Sequence, residues 1–371
     1  MFLYDGFLGT RELNDSLKSN NVSPVKRKQE LLNLLPFNIQ GNKAHLLTNG
    51  LGNLVLGAAS TSERVIDAFG GTGLYVHFMR ANGIDIPMIL NEFDSYRYIT
   101  PFQIKVNPLG VRLAAEDYLG RLVDMVDQFQ DDDIFGPTAT AKKQDIVDFL
   151  QSEAQKLLEP GQNLSDLAEN KKPVKMKNTP ELAGLYIVMQ NQKWGYRPIQ
   201  ADATLEGLKK VMTHPELRTL VNEKGKIKKF RLGKKILFNL GERINSVHRR
   251  LKNVSICNGD GWKLIREAAG YDDFVPIDTS YLGKKTSNYN KATQEDCDPE
   301  IYMKKFQDCI LPAIKRGAKV LITNNWDDQI VDRLKSVGLR ISKVNRQKGV
   351  SRDTTEFAAF NFDPASGAID T

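Results

Sequence analysis

The chain reads as an α/β protein, an open and predominantly parallel sheet with helices on both faces, interrupted by an inserted and mostly helical lobe. Three stretches of sequence predict this. Residues 65–94 pass from an apolar run (VIDAF) through glycines to a helically spaced segment (LYVHFMRA) and a second apolar run (PMILNEF), which is one βαβ unit. Towards the C-terminus FVPIDTSYL, YMKKFQDCILPAIKRG, AKVLITNN, DQIVDRLKSVG, LRISKVNR and TEFAAFNF repeat the alternation. Between them, residues 101 to about 240 carry helical patterns such as EDYLGRLVDMVDQF and KKQDIVDFLQSEAQKLL, separated by polar linkers rich in Pro, Asn and Lys.

The expected division follows: residues 1–100 and 241–371 form the sheet domain, and 101–240 the inserted domain, each large enough to bury a core. With 41% hydrophobic and 26% charged residues the chain is a folding one. It has no run of about 18 apolar residues and no basic start with a long apolar centre at its N-terminus, so a cytoplasmic protein without membrane contact is expected. Cys257, Cys297 and Cys309 are odd in number and lack close pairing, and His45, His77, His214 and His248 stand apart. No disulfide framework and no metal site is expected. Asp131, Asp132 and Asp133 read as a solvated helix end, because consecutive residues do not converge on one ion.

The formal net charge of +7 is compatible with a polyanionic partner. Its densest part is residues 224–235, where Lys224, Lys226, Lys228, Lys229, Arg231, Lys234 and Lys235 occur without one acid, with Arg243, Arg249, Arg250 and Lys252 soon after. Such like charges repel unless an anion neutralises them, which suggests phosphate contact. A solvated hairpin with lysines on its exposed edges is the alternative.

In Asp67-Ala-Phe-Gly-Gly-Thr-Gly73 an acid ends a strand and glycines lead into a helix. The spacing of Gly70, Gly71 and Gly73 is not that of a dinucleotide fingerprint. An acid placed before the glycines suits a cationic amine, whereas it would repel a phosphate. One strand later, Glu92 stands where ribose hydroxyls would be met. Together they predict a nucleoside that carries an amino acid.

The order of segments resembles the N6-adenine DNA methyltransferases of bacteria and their phages. Phe37 to Leu47, with Gly41-Asn42-Lys43, is similar to the first cofactor motif of that family; Asp67 to Gly73 and Glu92 are similar to its glycine motif and ribose acid. Asn258-Gly-Asp260 with Trp262 and Leu264 resembles the segment flanking the cofactor adenine. Val275 to Leu282 occupies the place of the catalytic motif, and Thr355 to Phe362 that of the closing hairpin. Leu185 to Arg197 and Gly225 to Gly233 look like target-recognition segments.

The resemblance implies a methyltransferase-type, Rossmann-like sheet that binds S-adenosylmethionine and flips an adenine out of duplex DNA. It implies cofactor contacts from Asn42, Lys43, Asp67, Phe69, Gly70, Gly71, Gly73, Glu92, Asp260 and Gly261, with Lys43 towards the carboxylate and Asp67 towards the amine. DNA contacts are implied for Trp194, Tyr196, Arg197, Lys226, Lys228, Lys229, Arg231, Lys234, Asn288, Tyr289 and Asn290. The catalytic tetrapeptide of the family is Asp-Pro-Pro-Tyr, and here it is Asp278-Thr279-Ser280-Tyr281. Asp278 and the Thr279 carbonyl would accept the amine protons and Tyr281 would stack on the base, while Thr279 and Ser280 give up the fixed φ that prolines impose. Three functions stay open on these residues: methyl transfer to adenine in DNA, a catalytically lapsed DNA-binding relative, and transfer redirected to RNA or a modified base.

Overall fold

The computed structural model describes residues 35, 44–48, 50–93, 95–127, 149, 152–161, 177–191, 231–282, 295–344 and 355–364. The chain divides into two compact units, one of Met1–Leu35, Gly41–Phe93 and Arg250–Thr371, the other of Pro36–Gln40 and Asp94–Arg249. The boundaries expected after residue 100 and before residue 241 lie within helices Ser95–Val106 and Arg231–Arg250, some seven and nine residues from these divisions.

The first unit begins with helices α1 (Ala44–Leu47) and α2 (Leu51–Ser60), then β1 (Arg64–Asp67), α3 (Leu74–Ala81) and β2 (Met88–Asn91). Seven strands form one sheet among the described residues, completed by β3 (Val254–Cys257), β4 (Asp273–Asp278), β5 (Lys319–Asn325), β6 (Arg340–Val344) and β7 (Glu356–Phe360). The order is β3-β2-β1-β4-β5-β7-β6. Pairings from β3 through β5 are parallel, and β7 lies antiparallel to both β5 and β6. This is a mixed α/β fold compatible with a Rossmann-like one, in which the order of strand addition, not the strand direction, reverses at the β1/β4 boundary.

Alternation along the strands sorts residues between the two faces. Ile66, Val275, Ile277, Val320, Ile322, Phe357 and Ala359 share one buried cluster with residues of α8 (Gly261–Ala268), α9 (Pro299–Lys305), a π-helical turn at Phe306–Ile310, α10 (Leu311–Lys315) and α11 (Asp328–Ser336). On the opposite face the Tyr75 hydroxyl of α3 meets Thr323 Oγ1 of β5 at 3.4 Å, so Asp67, Asp278 and Thr323 point to the α3 side.

At the other end of the strands Arg64 grips Asp273 with two parallel bonds, Nε to Oδ1 at 2.9 Å and Nη2 to Oδ2 at 2.8 Å, and also donates to the Ala268 carbonyl. Asp273 further accepts from the Gly270 amide. The pair joins β1 to β4 where their register starts, Arg64 opposite Asp273. Asp273 is buried and Arg64 partly exposed, so we predict that Arg64→Met costs about 2 kcal/mol in chemical denaturation, below the full value of a buried charged bond. An unchanged midpoint would contradict this.

The second unit contains helices α4 (Ser95–Val106), α5 (Pro108–Asp127), α6 (Pro180–Asn191) and α7 (Arg231–Arg250), the last residue of which belongs to the first unit. Helix α6 crosses α5 closely at Gly184, where a Cβ would lie 2.7 Å from the Ala115 amide nitrogen. Gln103 of α4 donates to Asn178 ahead of α6, and His248 Nδ1 of α7 lies 3.1 Å from the Ile104 carbonyl of α4. Arg231, Lys234 and Lys235 are helical in α7, in keeping with the good helix propensity of Lys and Arg, so the hairpin alternative does not hold for that end of the basic stretch; residues 224–230 lie outside the described residues. Among the described residues no helix is long and apolar enough to cross a membrane.

Candidate active site

Four acids expected to matter stand at or just beyond the carboxyl ends of the first four strands, beside the β1/β4 switch point where open α/β sheets bind ligands. Asp67 ends β1, Glu92 follows β2, Asp260 follows β3 and Asp278 ends β4. They differ in what they are free to do.

Asp67 is 1% exposed, and its Oδ2 is buried without a hydrogen-bond partner. Burial, reinforced by the charges of Asp278 and Glu92, holds its carboxyl well above the usual carboxylate range. Buried polar atoms are rarely left unpaired, and one beside two further acids has the character of a socket for a cation. Among the described residues no group of three His, Cys, Asp or Glu could hold a metal ion. A ligand amine would bring both the charge and the hydrogen-bond donors that such a carboxyl lacks.

The glycine turn positions this acid. Gly71 and Gly73 have φ of 55° and 74°, which favour glycine, and Gly73 caps α3. Gly70 donates to the Asn91 carbonyl at 3.0 Å, and a Cβ there would lie 2.1 Å from Leu90 Cδ1. The glycines are thus accounted for by the turn and by its packing on β2. Below the turn His77 is fully buried and holds its proton weakly, through burial and then the charge of Arg250, so it is neutral. Arg250 Nε donates to its Nδ1 at 3.4 Å, which leaves the ring proton on Nε2.

Around the ends of β2 and β3 the backbone is tied by asparagines. Asn91 Nδ2 donates to the carbonyls of Ala68 and Gly259, and Asn258 Nδ2 to those of Glu92 and Phe93. Glu92 is itself buried, its amide bonded to the Cys257 carbonyl. Asp260 is the N-cap of α8, its Oδ1 accepting from the amides of Trp262 and Lys263. Gly261 sits against Ala68, whose carbonyl oxygen would be 2.4 Å from a Cβ. Phe69 packs edge-on against Trp262 at 5.0 Å, and Trp262 is buried with its Nε1 donating to Asp296.

The tetrapeptide follows β4. Asp278 is half-buried, and Thr323 Oγ1 approaches its Oδ1 at 3.4 Å. Thr279 and Ser280 are not left loose. Asn324, fully buried on β5, donates from Nδ2 to Thr279 Oγ1 at 3.2 Å and to the Ser280 carbonyl at 3.1 Å, while its Oδ1 accepts from the amides of Leu282 and Asn325. The Tyr281 hydroxyl donates to Glu356 Oε1 of β7 at 3.0 Å.

The structure therefore brings Asp67, Glu92 and Asp278 into one electrostatic neighbourhood, with the tetrapeptide at its edge. Asn42, Lys43, Trp194, Tyr196, Arg197, Lys226, Lys228, Lys229, Asn288, Tyr289 and Asn290 lie outside the described residues, and so do the side chains of Arg231 and Lys234. Of the later basic residues, Arg250 is buried against His77, and burial lowers the Arg243 guanidinium to about 10. Sequence reasoning missed Asn91, Thr323, Asn324 and Glu356; a pair of asparagines ending an apolar strand was the one available signal for Asn324. No protein-family model matches this sequence, and no curated protein matches it either.

Proposed function

We propose that the chain is a DNA methyltransferase that transfers the methyl of S-adenosylmethionine to the N6 amine of adenine. The observation that carries this reading is the buried, unpartnered Asp67 Oδ2 at the switch point, beside Asp278 of the tetrapeptide. The β6–β7 hairpin at the C-terminal edge adds support, since the family resemblance implies a closing hairpin there.

In this reading Asp67 holds the cofactor amine, Glu92 the ribose, and Phe69 with Gly261 borders the adenine. The cofactor, when bound, supplies an electrophilic methyl on a cationic sulfur. Asp278 and the Thr279 carbonyl accept hydrogen bonds from the exocyclic amine of the target base, which orients its lone pair and stabilises the positive charge that grows on nitrogen as it is methylated. Solvent finally takes the proton that the amine loses. The half-burial of Asp278 suits this role, being dry enough to strengthen the bond and open enough to admit a base.

Incubating the purified chain with methyl-labelled S-adenosylmethionine and duplex DNA tests the reading. Label in N6-methyladenine is expected. Cofactor binding with no label in any DNA would remove the enzymatic claim, and label in RNA in preference to DNA would redirect it.

A further inference from the structure

We propose that Asn324, acting through Thr279, is a positioning residue that fixes the Asp278–Tyr281 loop in its working form; this rests on the methyltransferase reading above. A loop without prolines needs another source of rigidity if its acceptors are to be held within about half an ångström.

The hydrogen bonds around Asn324 supply it. An asparagine amide offers two donor hydrogens and two acceptor lone pairs, and all four are used here. Three of them go to Thr279, Ser280 and Leu282, so the loop is held on both sides of Tyr281. Tyr281 has its own anchor in Glu356. The two anchoring strands are paired, with Asn325 opposite Glu356, so Asn324 and Glu356 belong to one rigid ladder.

Thr279 and Asn324 are a matched pair. The Thr279 hydroxyl accepts one Nδ2 hydrogen inside the protein, where Asn324 is 0% exposed, and a residue without that oxygen would strand a buried donor. Of the two side chains that depart from the family tetrapeptide, Thr279 is therefore the one that Asn324 grips.

Three variants of the full chain test this, because Asn324→Ala leaves several buried groups unpaired and is open to misfolding. Thr279→Val keeps the shape and removes the hydroxyl, and Thr279→Ser keeps the hydroxyl. The readouts are kcat for methyl transfer to duplex DNA, cofactor Kd by calorimetry and amide hydrogen exchange at Leu282. Thr279→Val is expected to lower kcat by about 10- to 100-fold with Kd unchanged and Leu282 exchange accelerated, while Thr279→Ser, which keeps the bond to Asn324, is expected to keep Leu282 exchange slow and to lose several-fold less kcat than Thr279→Val. Asn324→Ala, where folded, is expected to match or exceed Thr279→Val in both losses. An active chain indifferent to Thr279→Val, an equal loss in Thr279→Ser, or unchanged exchange at Leu282 overturns the clamp alone. An unaltered chain with no methyl transfer overturns the methyltransferase reading, and the positioning role with it.

Discussion

Asp67→Asn is expected to make the protein more resistant to heat at neutral pH while removing cofactor binding. The carboxyl is buried, its Oδ2 has no partner, and Asp278 and Glu92 repel its charge, so its folded pKa is raised above the unfolded value. A group shifted in this direction contributes stability that is complete below its unfolded pKa and is lost as pH rises through the folded one. The melting temperature of the unaltered chain should therefore carry a component that declines with pH in that window, and Asp67→Asn should lack it. The amide keeps the size of the carboxyl and offers a hydrogen to the neighbouring acids. Removing one partner of a buried charge-assisted pair costs about 2–5 kcal/mol, so cofactor affinity should fall by at least about 30-fold. A variant less stable than the parent with undiminished affinity would mean that Asp67 is a structural residue.

Asp278→Ala should abolish methyl transfer and leave the protein folded. Loss of one acceptor that acts on the developing charge is worth about 100- to 1000-fold in kcat. The carboxylate is half-buried and adds to the repulsion on buried Asp67, so its removal is expected to leave the fold in place. It also lifts one of the repulsions on Asp67, so cofactor binding should be retained or slightly improved. The check is a labelling assay beside a calorimetric titration of the same preparation. More than about a tenth of parental activity would assign the amine contact to another group, since that residual lies well outside the expected loss.

These two outcomes rest on parts of the molecule that the sequence made legible for a physical reason. Strands β1, β4 and β5 are continuous apolar runs because both faces of a central parallel strand are covered, and the acid and glycines after β1 mark a turn that few other residues allow. Asp260 was readable as a helix start and is one. Strand β3 was not readable. It is four residues long at the sheet edge, with Ser255 exposed, and owes its existence to pairing with β2. The helical form of Arg231 to Lys235 was hidden by Gly225 and Gly233, which favour a hairpin reading, and the propensity of the lysines prevailed over Gly233. The hydrogen bonds from Asn324 were hidden for another reason. Consecutive asparagines after an apolar run suggest a turn, and only tertiary contact reveals that Asn324 is fully buried and holds a loop some 45 residues away in the chain.

Calorimetric titration of the protein with S-adenosylmethionine, in two buffers of different ionisation enthalpy at one pH near neutrality, bears most directly on the reading of Asp67. A ligand ammonium favours the carboxylate form, against the direction in which burial, Asp278 and Glu92 shift it, so whatever proton the raised carboxyl holds in the free protein is released when the amine binds. The expected result is binding whose measured heat differs between the buffers, tightens as pH rises, and loses its buffer dependence in Asp67→Asn. Absence of binding, or binding that Asp67→Asn leaves unchanged in both affinity and proton release, would contradict the cofactor site.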